Sequence, residues 1–448
     1  MQQIKPWLKK GYGRVIPEIE TATSDEIRRF QEKLLRQQLD YLQQYSTFYR
    51  QVFKQNKINI KSIRSFSDIE QLPVTTKHDL QQYNNNFICV PQSKIIDYVT
   101  TSGTLGDPVT FVLTDNDLHR LAYNEHISFV CAGGSENDIY QLITTIDRRF
   151  MAGLAYFIGV RRMGAGIVRV GSGMPELQWD SINRIKPTSF ITVPSFILKI
   201  IDYAEKNGID YRNSSIRQAV CIGEPLQNPD FSLSKLGTRI KEKWDIELFT
   251  TYASTEMSSA FTDCSQHRGG HHHPELIITE FLDENNKPIQ EGEAGEVTIT
   301  TLGVEGMPLL RFKTGDICSH ETAPCACGRT TMRLGPIIGR KKQMIKYKGT
   351  TLYPPALYDI LDNIEGVVNY VVEVSTNTIG TDEILIRCGV NSLSADFEKT
   401  VKDHFRAKLR VAPSIKIESA ETLAKTLFND MNRKPVKFVD KRQDSLPD

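Results

Sequence analysis

Thr101-Ser102-Gly103-Thr104-Leu105-Gly106 follows the strand-like Ile95-Ile96-Asp97-Tyr98-Val99, and this join of an extended segment to a small, hydroxyl-rich turn decides how the rest of the chain is read. Glycine lets main-chain N–H groups turn inward, and Ser and Thr hydroxyls add further donors. A backbone that wraps a polyphosphate needs both. Gly/Ser/Thr clusters are mostly ordinary loops, so the run gains weight only from the segments that follow it in order.

Outward from the turn, strand-like and helical runs alternate. Strands are expected at Ile139–Thr145, Gly166–Val170, Phe190–Val193, Gln218–Ile222 and Glu247–Thr250, with helices such as Trp179–Arg184 and Ile197–Asn207 between them. That alternation predicts an α/β layer architecture. Before the turn, residues 25–55 read as one helix with Ser24 or Asp25 as cap, and Leu72-Pro73-Val74-Thr75-Thr76 as an extended lead into a short helix. From Leu276 to Thr300 the period becomes two, which predicts antiparallel sheet. After Gly339-Arg340 the chain turns basic and then reads helix, strand, strand, helix, strand over 355–418, a small α+β domain. The expected division is 1–340 and 341–448.

The 448 residues exceed one average domain, and the 40% hydrophobic content suffices for real cores. A net charge of +1 favours neither nucleic acid nor an anionic membrane. Residues 1–7 show no apolar signal core. The longest apolar stretch, Phe190 to Ile200, is broken by Pro194 and Ser195 and falls short of the roughly 20 residues a membrane span needs. Eight scattered cysteines lack the density of a disulfide scaffold, so a reduced, cytoplasmic protein is expected.

Further segments follow the Gly-rich turn: Cys221-Ile222-Gly223-Glu224-Pro225, Tyr252-Ala253-Ser254-Thr255-Glu256, Arg311-Phe312-Lys313-Thr314-Gly315-Asp316, Gly339-Arg340, Ile345-Lys346-Tyr347-Lys348-Gly349 and Asn432-Arg433-Lys434-Pro435. In this order they resemble the adenylate-forming acyl-CoA synthetase superfamily, with an acetyl-CoA synthetase-like large domain and a small mobile lid. The Gly-Glu-Pro turn, Phe150–Gly173 and Val439-Asp440-Lys441-Arg442 are most similar to the phenylacetate-CoA ligase branch. The resemblance implies attack of a carboxylate on the α-phosphorus of ATP, then displacement of AMP by the thiol of coenzyme A.

It also implies roles. Thr101, Ser102, Gly103, Thr104 and Gly106 are expected to hold the β- and γ-phosphates, and Gly223, Glu224, Pro225 and Tyr252 to border the adenine. Ser254 belongs to the same nucleotide-binding segment. Thr255 is expected to reach the α-phosphate, and Glu256 to hold Mg²⁺ as a hard oxygen ligand. Asp316 is expected at the ribose and Arg340 at the ribose or phosphate. Lys434 matches the catalytic lysine that bridges carboxylate and α-phosphate, Lys342 the hinge of the lid, and Lys346, Lys348 and Gly349 the CoA side. Phe150, Ala152, Gly153 and Tyr156, with Tyr140, are expected to line an apolar pocket for a hydrophobic, aryl or acyl acid. Two positions depart from the family: Asp107 stands where Lys is usual after the loop, and Arg433 where Gly usually precedes the catalytic lysine.

Cys264-x6-His271 and the later Cys325-Ala326-Cys327-Gly328-Arg329 offer three thiolates and an imidazole, a set that suits tetrahedral, structural zinc. His267, His272, His273, Cys318 and His320 are substitute ligands. The expected substrates are a small carboxylic acid, ATP and CoA. Two alternatives stay open: transfer of the acyl group to a carrier-protein thiol or an amine, and a non-catalytic nucleotide- or acyl-binding relative. Association as a homodimer is a further open partner. No nucleic acid or membrane partner is expected.

Overall fold

The computed structural model describes residues 5–9, 11–101, 109–347, 350–377, 381–391, 396–409, 411–427 and 436–442. The chain divides into two compact units, Met1–Thr314 with Cys318–Ile337, and Gly315–Ile317 with Ile338–Asp448.

The first unit is built on a sheet that has nine strands among the described residues. Gly166–Arg169, Ile139–Leu142, Ser189–Thr192, Gln218–Ile222 and Glu247–Ser254 run parallel in that spatial order. Ser259–Thr262, Gly270–His271, Arg333–Leu334 and His320–Glu321 extend it as antiparallel neighbours. The helices Pro175–Ile185, Pro194–Lys206 and Lys235–Lys243 bury Trp179, Ile197, Ile201 and Ile240 in one apolar cluster with Phe190, Cys221 and Leu248 from the strands. Asp115–Cys131 and Met151–Met163 bury Phe129, Tyr156 and Val160 in a second cluster with Leu142, Ile191 and Val220. Such double covering explains why these strands read as short continuous apolar runs. Ile277–Leu282 and Gly295–Thr301 form the expected antiparallel pair.

The expected single helix over 25–55 is two helices, Ser24–Tyr45 and Thr47–Gln55. Thr23, not Ser24 or Asp25, closes a capping box with Glu26. Ser46 ends the first helix and its side chain accepts from Tyr49 N at 3.2 Å to start the second. The strand expected at Ile95–Val99 lies at Asp97–Thr100 and pairs antiparallel with Thr110–Leu113.

The second unit has a four-stranded sheet in the order Ser414–Ser419, Asp382–Val390, Val367–Thr376, Phe438–Asp440, with the central pair antiparallel and both outer pairs parallel. Helices Pro354–Asp362 and Phe397–Leu409 bury Leu357, Ile360, Val401 and Phe405 in a core with Val372, Ile384 and Ile386 from the strands. Ala420–Leu427 and Phe438–Asp440 are elements the pattern of the sequence did not reveal. No described helix is long and apolar enough to cross a membrane.

Candidate active site

The strands Asp97–Thr100 and Thr110–Leu113 pair antiparallel on either side of the Gly-rich run. Thr101 N donates to Val109 O at 3.0 Å, and Val109 N to Thr101 Oγ1 at 3.0 Å. Thr100 N donates to Arg149 O at 3.0 Å. Arg148 and Arg149 hold positive φ angles of 58° and 57°, a conformation non-glycine residues adopt at an energetic cost. Ser102, Gly103, Thr104 and Gly106 lie outside the described residues, as do Lys348, Gly349 and Lys434.

Two of the predicted segments emerge side by side at the C-terminal ends of parallel strands, where open α/β sheets bind ligands. Ile222 pairs in register with Thr251, so the Gly223–Pro225 turn leaves one strand beside Tyr252 on the next. Gly223 has φ 74°, which favours the residue without a Cβ. Glu224 does something the sequence did not reveal: its carboxylate accepts from Ser195 N at 2.9 Å and Ser195 Oγ at 3.0 Å, capping the helix Pro194–Lys206. The side chain is committed to that helix.

Tyr252, Ala253 and Ser254 continue the strand, which was expected to end at Thr250, and pair with Phe261, Ala260 and Ser259. Thr255 and Glu256 therefore occupy a hairpin tip. Met257 N donates to Ser254 Oγ at 3.3 Å, Ser258 takes φ 47°, and the fully buried Met257 anchors the tip from below. Arg120, itself fully buried, donates to Ser258 O, to Leu302 O at 2.8 Å and to Leu276 O at 2.6 Å. Glu256 is half-buried and makes no hydrogen bond or ion pair among the described residues, so its oxygens fit a hard cation.

In the second unit Asp316 and Arg340 are direct cross-strand partners, and Arg340 Nε donates to Asp316 Oδ1 at 3.1 Å. Lys342 lies in the short turn Lys341–Gln343, where its carbonyl accepts from Arg442 Nη2 at 3.1 Å. Arg442 also donates to Met344 O at 2.7 Å and Asp382 Oδ2 at 3.1 Å. Lys346 exposes its side chain and donates its backbone N–H to Asp382 Oδ2 at 2.7 Å.

Of the expected pocket residues, Phe150 precedes the helix Met151–Met163, which carries Ala152, Gly153 and Tyr156. Gly153 lies so close to the preceding loop that an added Cβ would sit 1.9 Å from Thr145 O. Tyr140 is fully buried, second in its strand, with its ring 5.1 Å from Phe129, in the same apolar cluster as Tyr156, and its hydroxyl stands where a Gly134 side chain would be.

Cys264, His271, Cys325 and Cys327 converge, with their ligand atoms all within 4.8 Å of one another. Cys264 Sγ is 3.7 Å from Cys325 Sγ, and Cys327 Sγ is 3.5 Å from His271 Nε2. Zinc–sulfur bonds of about 2.3 Å give tetrahedron edges of about 3.7 Å, so these separations fit that ion. Cys325–Arg329 forms a knuckle: Gly328 N bonds Cys325 O at 3.0 Å, Cys325 N bonds Arg329 O at 2.9 Å, and Gly328 takes φ 94°. His271 Nδ1 lies 3.1 Å from Thr331 Oγ1, which orients the ring. Burial acts to raise the Cys327 thiol, but hydrogen bonds from His271 and Arg329 outweigh it and bring it down to about 5. The substitutes are used elsewhere. His272 stacks on Phe261 and His320 on Phe281, while His273 Nδ1 pairs with Glu20 Oε1 at 2.6 Å. Cys318 is buried outside the group.

Glu20 and Arg329 form a layer behind the cysteines that sequence reasoning missed. The fully buried Glu20 accepts from Arg329 Nε at 2.7 Å, and Arg329 Nη1 points to Cys327 Sγ at 3.7 Å. Burial opposes ionisation of Glu20, but His273 and Arg329 overcome it and hold the carboxyl below its usual range.

A family model described as "AMP-binding enzyme" matches residues 49–306. Phenylacetate-coenzyme A ligase of Thermus thermophilus is 29% identical over 357 residues, 79% of each chain. The Escherichia coli protein of that name is 27% identical over 368 residues, 80% of this chain and 81% of that one. Among solved structures, 2-hydroxyisobutyryl-CoA ligase in its postadenylation state superposes with TM-score 0.83 at 22% identity, over 98% of this chain and 94% of that one. ATP-bound MatB from Rhodopseudomonas palustris gives TM-score 0.56 at 16% identity, over 79% of this chain and 68% of that one.

Proposed function

The chain belongs to the family of AMP-binding enzymes, and on that premise we propose that it is an ATP-dependent acid–thiol ligase of the phenylacetate-CoA ligase branch. A carboxylate oxygen attacks the α-phosphorus, the bond to the β-phosphate breaks, and pyrophosphate leaves. The thiolate of coenzyme A then attacks the acyl carbon of the adenylate, AMP leaves, and the thiol proton goes to solvent. The observation that carries this reading is the family match, which covers the turn at 101–106, the Gly223–Pro225 turn and the Thr255–Glu256 tip. Relatives named phenylacetate-coenzyme A ligase support an aryl-acetic acid as the first candidate substrate.

The first step brings an anion onto a polyanion, so donors and cations must offset the charge that accumulates. In our reading the Gly-rich turn and Thr255 supply donors, Glu256 holds Mg²⁺, and Lys434 bridges carboxylate and α-phosphate. Asp316 would take the ribose hydroxyls by exchanging its Arg340 hydrogen bond for them. Lys342 would act as the hinge and Lys346 would face CoA. A zinc ion on Cys264, His271, Cys325 and Cys327 would be structural, with no step passing through it. Eight free thiols support a reduced, cytoplasmic setting.

Screening carboxylic acids for acid-dependent pyrophosphate release, then for thioester formation with free CoA, tests the reading. Release and CoA thioester with at least one hydrophobic acid are expected. Release followed by transfer only to a phosphopantetheinylated carrier or an amine would move the second step to that acceptor. No acid-dependent exchange across the panel would leave a nucleotide- or acyl-binding relative.

A further inference from the structure

Glu125 is a carboxyl in an apolar place. It sits midway along Asp115–Cys131, is 6% exposed, and packs its Cβ against Gly159 so closely that a Cβ there would lie 2.2 Å away. Gly159 is one turn beyond Tyr156 on the helix that carries Ala152 and Gly153. Tyr156 is 3% exposed among Phe129, Ile191, Val220 and Ile222. Because Tyr156 and Gly159 share one face of that helix, the phenol stands on the side against which Glu125 packs, and burial first and Glu125 second push the phenol up.

Neither group is satisfied by the protein. Among the described residues the Tyr156 hydroxyl makes no hydrogen bond. Glu125 has one, from Asn124 Nδ2 to Oε1 at 3.0 Å. Asn124 is itself fixed, because its Oδ1 accepts from Ala260 N at 3.0 Å. Ala260 pairs with Ala253, one strand position from the hairpin tip that carries Thr255 and Glu256. The second Glu125 oxygen is thus held in place and left without a protein partner.

We propose that Glu125, together with Tyr156, reads the acid: it hydrogen-bonds a hydroxyl carried on the body of the substrate. The preferred class is then a hydroxylated aryl or alkyl carboxylic acid and not a wholly apolar one. This deepens the ligase reading and rests on it. Tyr156 shares its apolar cluster with Ile222, the residue before the Gly223–Pro225 turn, and the Asn124–Ala260 hydrogen bond ties the Glu125 neighbourhood to the strand that leads to the hairpin tip. Burial raises the Glu125 carboxyl to about 8 against the Asn124 hydrogen bond, so at neutral pH it both donates and accepts. A neutral hydroxyl does the same, so the two are complementary. An ammonium would instead require the carboxylate.

The test is ATP–pyrophosphate exchange with matched acids: phenylacetate against 4-hydroxyphenylacetate, and straight-chain acids against their ω-hydroxy and ω-amino forms. The unmodified protein is expected to favour a hydroxylated member by at least about tenfold in kcat/KM. Glu125→Leu should bring that ratio near one, and Glu125→Gln, which keeps a donor and an acceptor, should restore part of it. A ratio near one in the unmodified protein, or the same ratio in Glu125→Leu, would overturn the proposal while exchange itself upholds the ligase. A preference for the amino acids would overturn the hydroxyl assignment. No exchange with any acid would overturn the ligase reading and this proposal with it. A melting curve for each variant separates lost recognition from lost folding, and Glu125→Gln carries the test if Glu125→Leu does not fold.

Discussion

Arg120 is a buried cation whose hydrogen bonds go to the backbone: its guanidinium serves the carbonyls of Leu302, Leu276 and Ser258. Burial lowers it to about 10, against the pull of Asp117 and Glu275, so it stays charged at neutral pH. Three buried carbonyls lose their donor if it is truncated. Arg120→Met is therefore expected to lower stability by about 3 kcal/mol or more. It should also speed hydrogen exchange at Ala260 and Thr262, next to the 255–258 tip, and exchange at the unmodified rate would detach Arg120 from the tip. Glu125 makes a prediction with a defined sign. Its folded pKa is about 8 against an ordinary 4.5, so between those values the folded state keeps a proton that the unfolded chain has released. The stability it contributes is full below pH 4.5 and is lost as pH rises through 8. In Glu125→Gln the melting temperature, taken relative to the parent, should rise from pH 5 to pH 8.5; parallel curves would place an ionised carboxylate in the fold. Neither residue was legible beforehand. Both lie in Asp115–Cys131, a helix buried nearly all round, and such a helix has no polar face to show which neighbour a charged side chain meets.

Among the elements, the Cys/His group was legible as a group, because thiols and imidazoles are rare and the Cys-x-Cys-Gly knuckle is local. Its supporting layer was not, because Glu20 and Arg329 are 309 positions apart. That layer ties the N-terminal segment to the cysteines. Thr330 N bonds Glu20 O at 2.9 Å, Gly13 N bonds Met163 O at 2.8 Å, and Arg162 Nη1 reaches Trp7 O at 3.3 Å. If the cysteines hold zinc, stripping it should loosen Arg329 and, through Glu20, the segment ahead of Thr23. Metal removal by a chelator, verified by elemental analysis, is expected to lower the melting temperature and to open Arg14 to trypsin. Unchanged cleavage and melting after verified removal would separate the segment from the metal, and a protein that carries no metal as isolated would end the zinc proposal. The helix expected over 25–55 failed at Ser46 because a serine there serves two helices, capping one where it ends the other. The strand into Thr255 and Glu256 was read as ending at Thr250. Small residues at 253 and 254 look like loop, and their pairing with 260 and 259 depends on a turn whose φ angles the sequence does not display.

At the scale of the whole molecule, the alternation of strands and helices, the antiparallel stretch after Leu276 and the small C-terminal α+β domain were all readable, because each is a matter of local period. Separate cores follow from that division: Phe111, Phe261, Ile299 and Leu310 share one of those in the first unit, and Leu357, Val372, Ile386 and Phe405 share that of the second. Two elements near the C-terminus escaped notice. Ala420–Leu427 is short, and Phe438–Asp440 is a three-residue edge strand whose pairing with Val372–Val374 is parallel and non-local. Lys434 stands between them in sequence, so the chemistry we assign to it depends on a part of the chain whose periodicity says least. Its role is still separable from folding, because the two half-reactions need different groups. A point charge that bridges carboxylate and α-phosphate acts only in the first half-reaction. Lys434→Ala is therefore expected to lower acid-dependent ATP–pyrophosphate exchange by roughly 10²–10³-fold, the scale of losing one charge-stabilising contact in a transition state. Thioester formation from a synthetic acyl-adenylate and CoA should stay within about threefold of the parent, since 1.4 kcal/mol corresponds to tenfold and no contact to the second transition state is removed. Equal losses in both half-reactions with an unchanged melting curve would make Lys434 a general determinant of ligand binding, and an unchanged exchange rate would remove it from the mechanism.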